Sequence, residues 1–220
     1  MNEIIDNGCP REIRRLDVET PLGVVHLAGF AQKPDHRSVI FSILSDFSGM
    51  TVTASDLQES KEDPRPRFPK LDFDVNWTHS AGFCVLAFGE RGSDLRIGVD
   101  LERYSPKRLH LADRFFSVEE AAYIKSLAES SAMDPCGEKT AERGFFKLWC
   151  RKEAFYKCVG GDFFEGTLRR PMLHNPLLLE NAKSPMHGTG DLVKVHFVDL
   201  EGDAVGATEP SALCIAVSRR

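Results

Sequence analysis

No stretch of this 220-residue chain comes near the ~20 consecutive apolar residues that a membrane-spanning helix needs. Its opening residues, MNEIIDNGCPREIRR, mix charges early and hold no apolar segment of the secretory kind. The six cysteines (Cys9, Cys84, Cys136, Cys150, Cys158 and Cys214) form no Cys-x-x-Cys pair and no His-bearing zinc spacing. That pattern speaks against disulfides and structural zinc and for a reduced compartment. Basic excess is missing too: the net charge is −5, which leaves no electrostatic footprint for nucleic acid. No Gly-x-Ser-x-Gly turn is present, so a Ser-His-Asp triad of the nucleophile-elbow type has no support. The chain also lacks internal repeats and low-complexity tracts. A cytoplasmic protein without membrane or nucleic-acid partners is the expectation.

What remains is sufficient for a packed core. Apolar residues make up 42% of the chain, enough for one or two domains. Val18 to Phe30 reads as strand broken by a Pro-Leu-Gly turn, and His36 to Phe47 as a helix with Val39, Ile40, Ile43, Leu44 and Phe47 on one face. Lys61 to Lys70, KEDPRPRFPK, is a proline-stiffened loop of four cations and two anions, net +2. Composition favours a structural linker, with a rigid holder of Arg65 and Arg67 for a phosphate as the other reading. Phe73 to Ser80 and Phe83 to Phe88 form a plausible hairpin in which Thr78, His79 and Ser80 cluster at the turn.

In the strand Arg96 to Glu102, RIGVDLE, alternation sends Val99 and Leu101 into the core while Asp100 and Glu102 share the other face. Two carboxylates side by side repel unless a cation lies between them, one is protonated, or solvent screens them. Oxygen-only ligands suit a hard ion such as Mg²⁺ held together with substrate phosphates. Further on, Ser117 and Glu120 fit a capping box opening a helix that runs to about Ser130, followed by a break over Ser131 to Lys139. A long helix from about Thr140 to Val159 ends at Gly160-Gly161. On it Phe145, Trp149, Glu153 and Lys157 stack at four-residue steps. Taken alone, Glu153 and Lys157 form an ordinary surface pair worth about 0.2–0.5 kcal/mol. The stretch Glu142 to Lys157 carries five cations and two anions, net +3. Residues 162 to 190 read as irregular, with closing strands at Leu192 to Leu200 and Leu213 to Ser218. This order argues for an α+β fold in two similar halves, 1–105 and 106–220.

Five stretches stand in a fixed order: Arg65-Pro66, Asn76-Trp77-Thr78-His79-Ser80, Gly98-Val99-Asp100-Leu101-Glu102, Phe115-Phe116-Ser117 through Glu120, and Trp149-Cys150-Arg151-Lys152-Glu153-Ala154-Phe155-Tyr156-Lys157. Together they resemble the 4′-phosphopantetheinyl transferases of the surfactin-synthetase-activating type. The resemblance covers roughly residues 35 to 162. It implies a pseudo-twofold α+β fold with coenzyme A in the cleft between the halves. It also implies transfer of the phosphopantetheine arm to a serine of an acyl or peptidyl carrier protein, releasing 3′,5′-ADP. The N-terminal half would contact the nucleotide and supply the first metal ligands, and the C-terminal half would supply the catalytic helix and the carrier contacts.

The same resemblance assigns Asp100, Glu102 and Glu153 to Mg²⁺ (Mn²⁺ being an alternative) and Arg65, Thr78 and His79 to the 3′-phosphate of coenzyme A. Glu153 is then the candidate general base and Lys157 the residue facing the departing phosphate. Lys152 is a further phosphate partner or a partner within the protein, and Glu120 an assistant near the metal or simply a capping residue. The sequence departs from the family's pattern at Thr78, where serine is usual, at Arg65, where lysine is usual, and at Pro64, where glycine is usual. The first helix carries only Arg37 where relatives are richer in basic residues. Two other readings compete. One is an inactive relative that only binds coenzyme A or carriers. The other is a divalent-metal nuclease, which the four-residue Glu153–Lys157 spacing and the acidic charge oppose. A monomer is expected from two built-in halves.

Overall fold

Pro21-Leu22 folds the first apolar run back on itself, so that β1 (Arg14–Thr20) and β2 (Gly23–Ala31) pair antiparallel with Thr20 opposite Gly23. Gly23, at φ +137, takes a backbone conformation that side-chain-bearing residues avoid. The computed structural model describes residues 13–60, 65–90, 95–105, 108–130, 137–161, 163–179 and 193–219. Lys61 to Pro64, Cys9 and Cys136 fall outside them, as do parts of the break expected over Ser131 to Lys139 and of the irregular run expected over 162 to 190.

Helix α1 (His36–Ser48) follows, with Asp35 accepting from the Ser38 N–H as its N-cap. Strands β3 (Phe73–Ser80) and β4 (Phe83–Glu90) form the expected hairpin and complete a four-stranded antiparallel sheet in the order β1-β2-β4-β3. The second sheet runs β5-β8-β7-β6 from β5 (Leu95–Arg103), β6 (Leu177–Leu179), β7 (Val193–Glu201) and β8 (Ser211–Arg219). Between β5 and β6 lie α2 (Leu111–Phe115), α3 (Val118–Ser130) and α4 (Gly137–Val159). The fold is α+β, as the element order suggests. Helix α4 begins three residues before the expected Thr140, and α2 and β6 were too short to announce themselves by periodicity.

The sheets divide between β4 and β5, ahead of the boundary expected at residue 105. Strand β5 hydrogen-bonds to β8 along its whole length, so the strand carrying Asp100 and Glu102 belongs to the second sheet. Val25, Leu27, Val85 and Ala87 of the first sheet pack against Ile97, Val99, Leu101, Ile215 and Val217 of the second. Phe30, Leu86 and Phe88 on the other face of the first sheet receive Val39, Ile40, Ile43 and Leu44 of α1. Cys214, Ala216 and Phe197 on the other face of the second sheet receive α4 through Phe145, Phe146, Ala154 and Cys158. The result is four layers: helix, sheet, sheet, helices. Among the described residues no helix is long and apolar enough to cross a membrane.

One edge joins the halves by side chains. Strand β5 pairs with β8 on one side, and its other edge lies along β3 without a backbone ladder. There Asp74 Oδ2 accepts from the Ile97 N–H at 2.8 Å, Asn76 Oδ1 from the Val99 N–H at 3.2 Å, and Ser80 Oγ from the Arg103 N–H at 3.2 Å. Each donor is 23 residues beyond its acceptor, and the acceptors alternate along β3. Buried N–H groups left bare on an edge cost free energy, and these polar side chains satisfy them. The Thr78 rung breaks the pattern, because its hydroxyl turns to Asp100 instead.

Candidate active site

Strand alternation places Gly98, Asp100 and Glu102 on the face of β5 that meets α4, opposite Val99 and Leu101 in the inter-sheet core. Gly98 sets the spacing. A Cβ there would run into the Ala154 carbonyl oxygen and come within 2.6 Å of the Cys158 backbone nitrogen, so only glycine lets α4 lie directly on β5. That close approach brings Glu153 and Lys157 to Asp100.

Lys157 Nζ donates to Asp100 Oδ1 at 2.8 Å, to the Val99 carbonyl at 3.1 Å and to Thr78 Oγ1 at 3.3 Å, which uses all three of its N–H donors. Thr78 Oγ1 donates in turn to Asp100 Oδ1 at 3.2 Å. Burial works against the ammonium charge of Lys157, but the Asp100 carboxylate and its hydrogen bond outweigh it and lift the pKa above the ordinary lysine value. Asp100 is itself buried, and its Oδ2 has no hydrogen-bond partner among the described residues. Glu102 receives Arg108 Nη1 at 3.1 Å, while burial and the neighbouring Asp100 charge raise its pKa. Burial, then Asp100, push Glu153 up to about 7.

Three carboxylates thus lie within electrostatic reach of one another around a single lysine. Among the described residues no three acidic, histidine or cysteine side chains stand close enough to hold a metal ion as placed. The donor set nevertheless fits a hard divalent cation: it is all oxygen, it carries excess negative charge, and one buried carboxylate oxygen is unpartnered.

The remaining expected residues divide into two groups. Glu120 and Lys152 are brought together, away from solvent: both side chains are 0% exposed and Nζ lies 2.8 Å from Oε2. Lys152 also donates to the Arg170 carbonyl at 2.6 Å, and its pKa falls because burial outweighs the Glu120 charge. Glu120 accepts from the Ser117 N–H at 3.1 Å, completing the expected capping box, and from the Met172 N–H at 2.8 Å. The pair is an internal clamp tying α3 and α4 to the segment before β6, and neither side chain opens towards the Asp100 cluster. Of the alternatives open from sequence, Lys152 here takes a partner within the protein and Glu120 the capping role.

Thr78 and His79, adjacent on β3, point to opposite faces. Thr78 joins the Asp100 cluster, whereas His79 is exposed with its ring 5.8 Å from that of His36 at the start of α1. Arg65 is buried near α4, and its charge is felt at the Cys158 thiol. Burial is the main cause that pushes that thiol up to about 12, against a hydrogen bond with Ser218 and the charges of Arg65 and Arg96. Arg37 forms a two-pronged pair with Glu59, at 2.8 and 3.2 Å. Of the five cations of Glu142 to Lys157, Arg151, Lys152 and Lys157 turn inward, whereas Arg143 and Lys147 are exposed. Arg151 grips Asp199 at 2.6 and 2.9 Å, Lys147 reaches the same carboxylate at 3.1 Å, and Lys152 and Lys157 are paired as described.

A sequence model of the 4′-phosphopantetheinyl transferase superfamily matches residues 96–205, half of the chain, from the strand bearing Asp100 through the helix bearing Glu153 and Lys157. The chain belongs to this superfamily. Among individual transferases, the chain is 33% identical over 141 residues to the 4′-phosphopantetheinyl transferase Sfp of Bacillus subtilis (strain 168), covering 60% of this chain and 55% of that one. The 4′-phosphopantetheinyl transferase gsp of Aneurinibacillus migulanus is 32% identical over 94 residues, 42% of this chain and 34% of its own. The corresponding protein psf-1 of Bacillus pumilus is 35% identical over 88 residues, 40% and 32% respectively. The matched region therefore spans about a third to just over half the length of these relatives.

Within this superfamily member, sequence reasoning passed over the inter-sheet roles of Asp74, Asn76, Ser80 and Gly98. For the strand residues the signal was present, since Asp74, Asn76, Thr78 and Ser80 alternate with Phe73, Val75 and Trp77.

Proposed function

We propose that the chain is a holo-carrier-protein synthase, which transfers 4′-phosphopantetheine from coenzyme A to a serine of an acyl or peptidyl carrier protein and releases 3′,5′-ADP. The observation that carries this reading is the buried cluster of Asp100, Thr78 and Lys157 with Glu102 and Glu153 beside it. Asp100, Glu102 and Glu153 would hold Mg²⁺, which when bound neutralises charge on the pyrophosphate of coenzyme A. In the reaction a bond forms between the serine oxygen and the β-phosphorus, and the bond from that phosphorus to the bridging oxygen breaks. The electron pair leaves with the 5′-phosphate of 3′,5′-ADP.

The residues of this chain supply the rest. Glu153 has no hydrogen-bond partner among the described residues, so its carboxylate is free to accept the serine proton, directly or through a water. Lys157, held by three acceptors, presents a fixed positive charge to the phosphate that departs. Thr78 keeps Asp100 and Lys157 in register. Arg65 and His79 are assigned to the 3′-phosphate of coenzyme A, with His36 beside His79 at the start of α1. The protein acts as a monomer in the cytoplasm on this reading. The nucleotide contacts on the first half and the carboxylates of β5 and α4 would line the substrate site where the halves meet along β3 and β5.

The test is direct. Incubation with coenzyme A, Mg²⁺ and an apo carrier protein is expected to add one phosphopantetheine to the carrier, read by intact mass. Failure to modify any of several acyl and peptidyl carriers would overturn the assignment.

A further inference from the structure

Two cations meet the carboxylates of the candidate site, and they are held differently. Lys157 uses all three N–H donors on Asp100, Val99 and Thr78. Arg108, six residues beyond Glu102, donates Nη1 to Glu102 Oε2 at 3.1 Å, and among the described residues this is its one side-chain hydrogen bond. Its side chain is 47% exposed. The position is specified even so. The Arg108 N–H donates to the Ser105 carbonyl at 3.1 Å, and the guanidinium carbon lies 6.0 Å from the centre of the buried Phe146 ring. Turn and ring seat the guanidinium at the rim of the carboxylate cluster without calling on Glu102. Arg108 also lies outside the five stretches that carry the family resemblance.

Charge decides what such an arginine can do. Asp100, Glu102 and Glu153 set three carboxylates against two cations, Lys157 and Arg108. Those two positive charges already offset most of the negative charge, so a divalent ion feels the full attraction only if one of them yields. An ion held by Glu102 would also stand beside the guanidinium, and like charges at that range repel. Lys157 is a poor candidate to yield, since Asp100 and Thr78 are buried and a withdrawn ammonium leaves their oxygens in a dry site. Arg108 yields readily, because a half-exposed ion pair is weak and water replaces it. A phosphate that shares the ion with Glu102 then offers the guanidinium two oxygens in the fork geometry that arginine favours.

We propose that Arg108 is a partner-switching residue of this site: it competes with the divalent ion for Glu102, and it takes pyrophosphate oxygens of coenzyme A once the ion holds that carboxylate. This rests on the transferase reading and adds a residue that the reading does not name. On it, Arg108 sets how tightly the bare protein holds a divalent ion, and it favours the ion that arrives with its phosphates over the ion alone.

Arg108→Gln removes the charge from a half-exposed side chain, and circular dichroism checks that the fold is kept. Two titrations read the switch. Mn²⁺ added to the protein alone is followed by the electron paramagnetic resonance of the free ion, and coenzyme A is added to protein saturated with Mn²⁺ in a calorimeter. Without the competing cation, Arg108→Gln should bind Mn²⁺ about threefold tighter. Without the phosphate partner, it should bind coenzyme A about tenfold more weakly. Arg108→Lys keeps the charge but loses the fork, so its Mn²⁺ affinity should stay within about twofold of the unaltered protein while coenzyme A binding falls part of the way. The opposite signs are the signature, since damage to packing would weaken both. Mn²⁺ affinity that is unchanged or lower in Arg108→Gln would overturn the competition, and unchanged coenzyme A affinity would overturn the switch to phosphate. An unaltered protein that binds no Mn²⁺ by itself would overturn the proposal as well. Loss of the transferase reading looks different: the unaltered protein then adds no phosphopantetheine to any carrier, whichever way the two titrations move.

Discussion

Replacing Lys152 by methionine separates a structural role from a substrate-binding one. Its ammonium is fully buried, 2.8 Å from Glu120 Oε2 and 2.6 Å from the Arg170 carbonyl. Methionine fills much of the same space but leaves a carboxylate in the protein interior with only the Ser117 and Met172 N–H groups for partners. Breaking a buried pair in this way typically costs about 3–5 kcal/mol, and the two surviving hydrogen bonds place Lys152→Met near the lower end. In a protein of this size each kcal/mol lowers the melting temperature by about 2–4 °C, so a fall of about 6–12 °C is expected. The double variant Glu120→Gln/Lys152→Met removes both charges, and glutamine keeps the reach of the capping residue. It should recover most of the loss, giving a coupling energy of about 2 kcal/mol in a urea-denaturation cycle. Coenzyme A affinity at low temperature, read by calorimetry, should stay within about twofold, less than 0.5 kcal/mol. A single variant of unchanged stability with coenzyme A binding weakened by about tenfold would refute this reasoning, because the ammonium would then be meeting substrate.

Gly98→Ala forces a methyl group against the α4 backbone, so it should destabilise by about 3 kcal/mol and reduce transfer even at saturating coenzyme A; wild-type melting and turnover would show that α4 does not rest on this residue. Asp100→Ala removes the shared acceptor of Thr78 and Lys157; transfer should vanish and Mg²⁺-dependent coenzyme A binding weaken with the fold intact by circular dichroism, and unchanged turnover would exclude Asp100 from the site. Glu153→Gln should lower kcat far more than coenzyme A affinity, and a pure affinity loss would rule out Glu153 as the base. Asp199→Asn removes a carboxylate that burial would push up but that Arg151 and Lys147 hold below its ordinary value. A depressed acid stabilises the folded state above its unfolded pKa, near 3.9, and loses that contribution as pH falls through the folded value. The stability gap between wild type and Asp199→Asn should therefore be full at neutral pH and close only below about pH 4; a gap that widened in acid would contradict the pairing.

Much of the site was legible from residue order. Asp100 and Glu102 share a face because strands alternate, and Trp149, Glu153 and Lys157 align because helices repeat every 3.6 residues. Both are local rules that need no knowledge of the rest of the chain. The Ser117–Glu120 capping box was legible for the same reason. Periodicity over a few residues could not reveal β6, which has three residues, or α2, which has five.

What the amino-acid order determined by itself, then, is the α+β class and the local alignments that set Asp100 beside Glu102 and Glu153 beside Lys157. Only the tertiary structure decided which of these charges meet each other and which stay apart. Lys152 and Lys157 lie on one helix five residues apart, yet one meets Glu120 in the core of the C-terminal half and the other meets Asp100 beside β3. The same holds for Thr78 and His79, which a one-residue step sends to opposite sides of a strand. The physical reason is that a charge takes its meaning from its nearest partner and from how far water is excluded around it. Those partners are contributed by segments 32, 52, 57 and 79 residues away, brought close only when the two sheets and α4 pack.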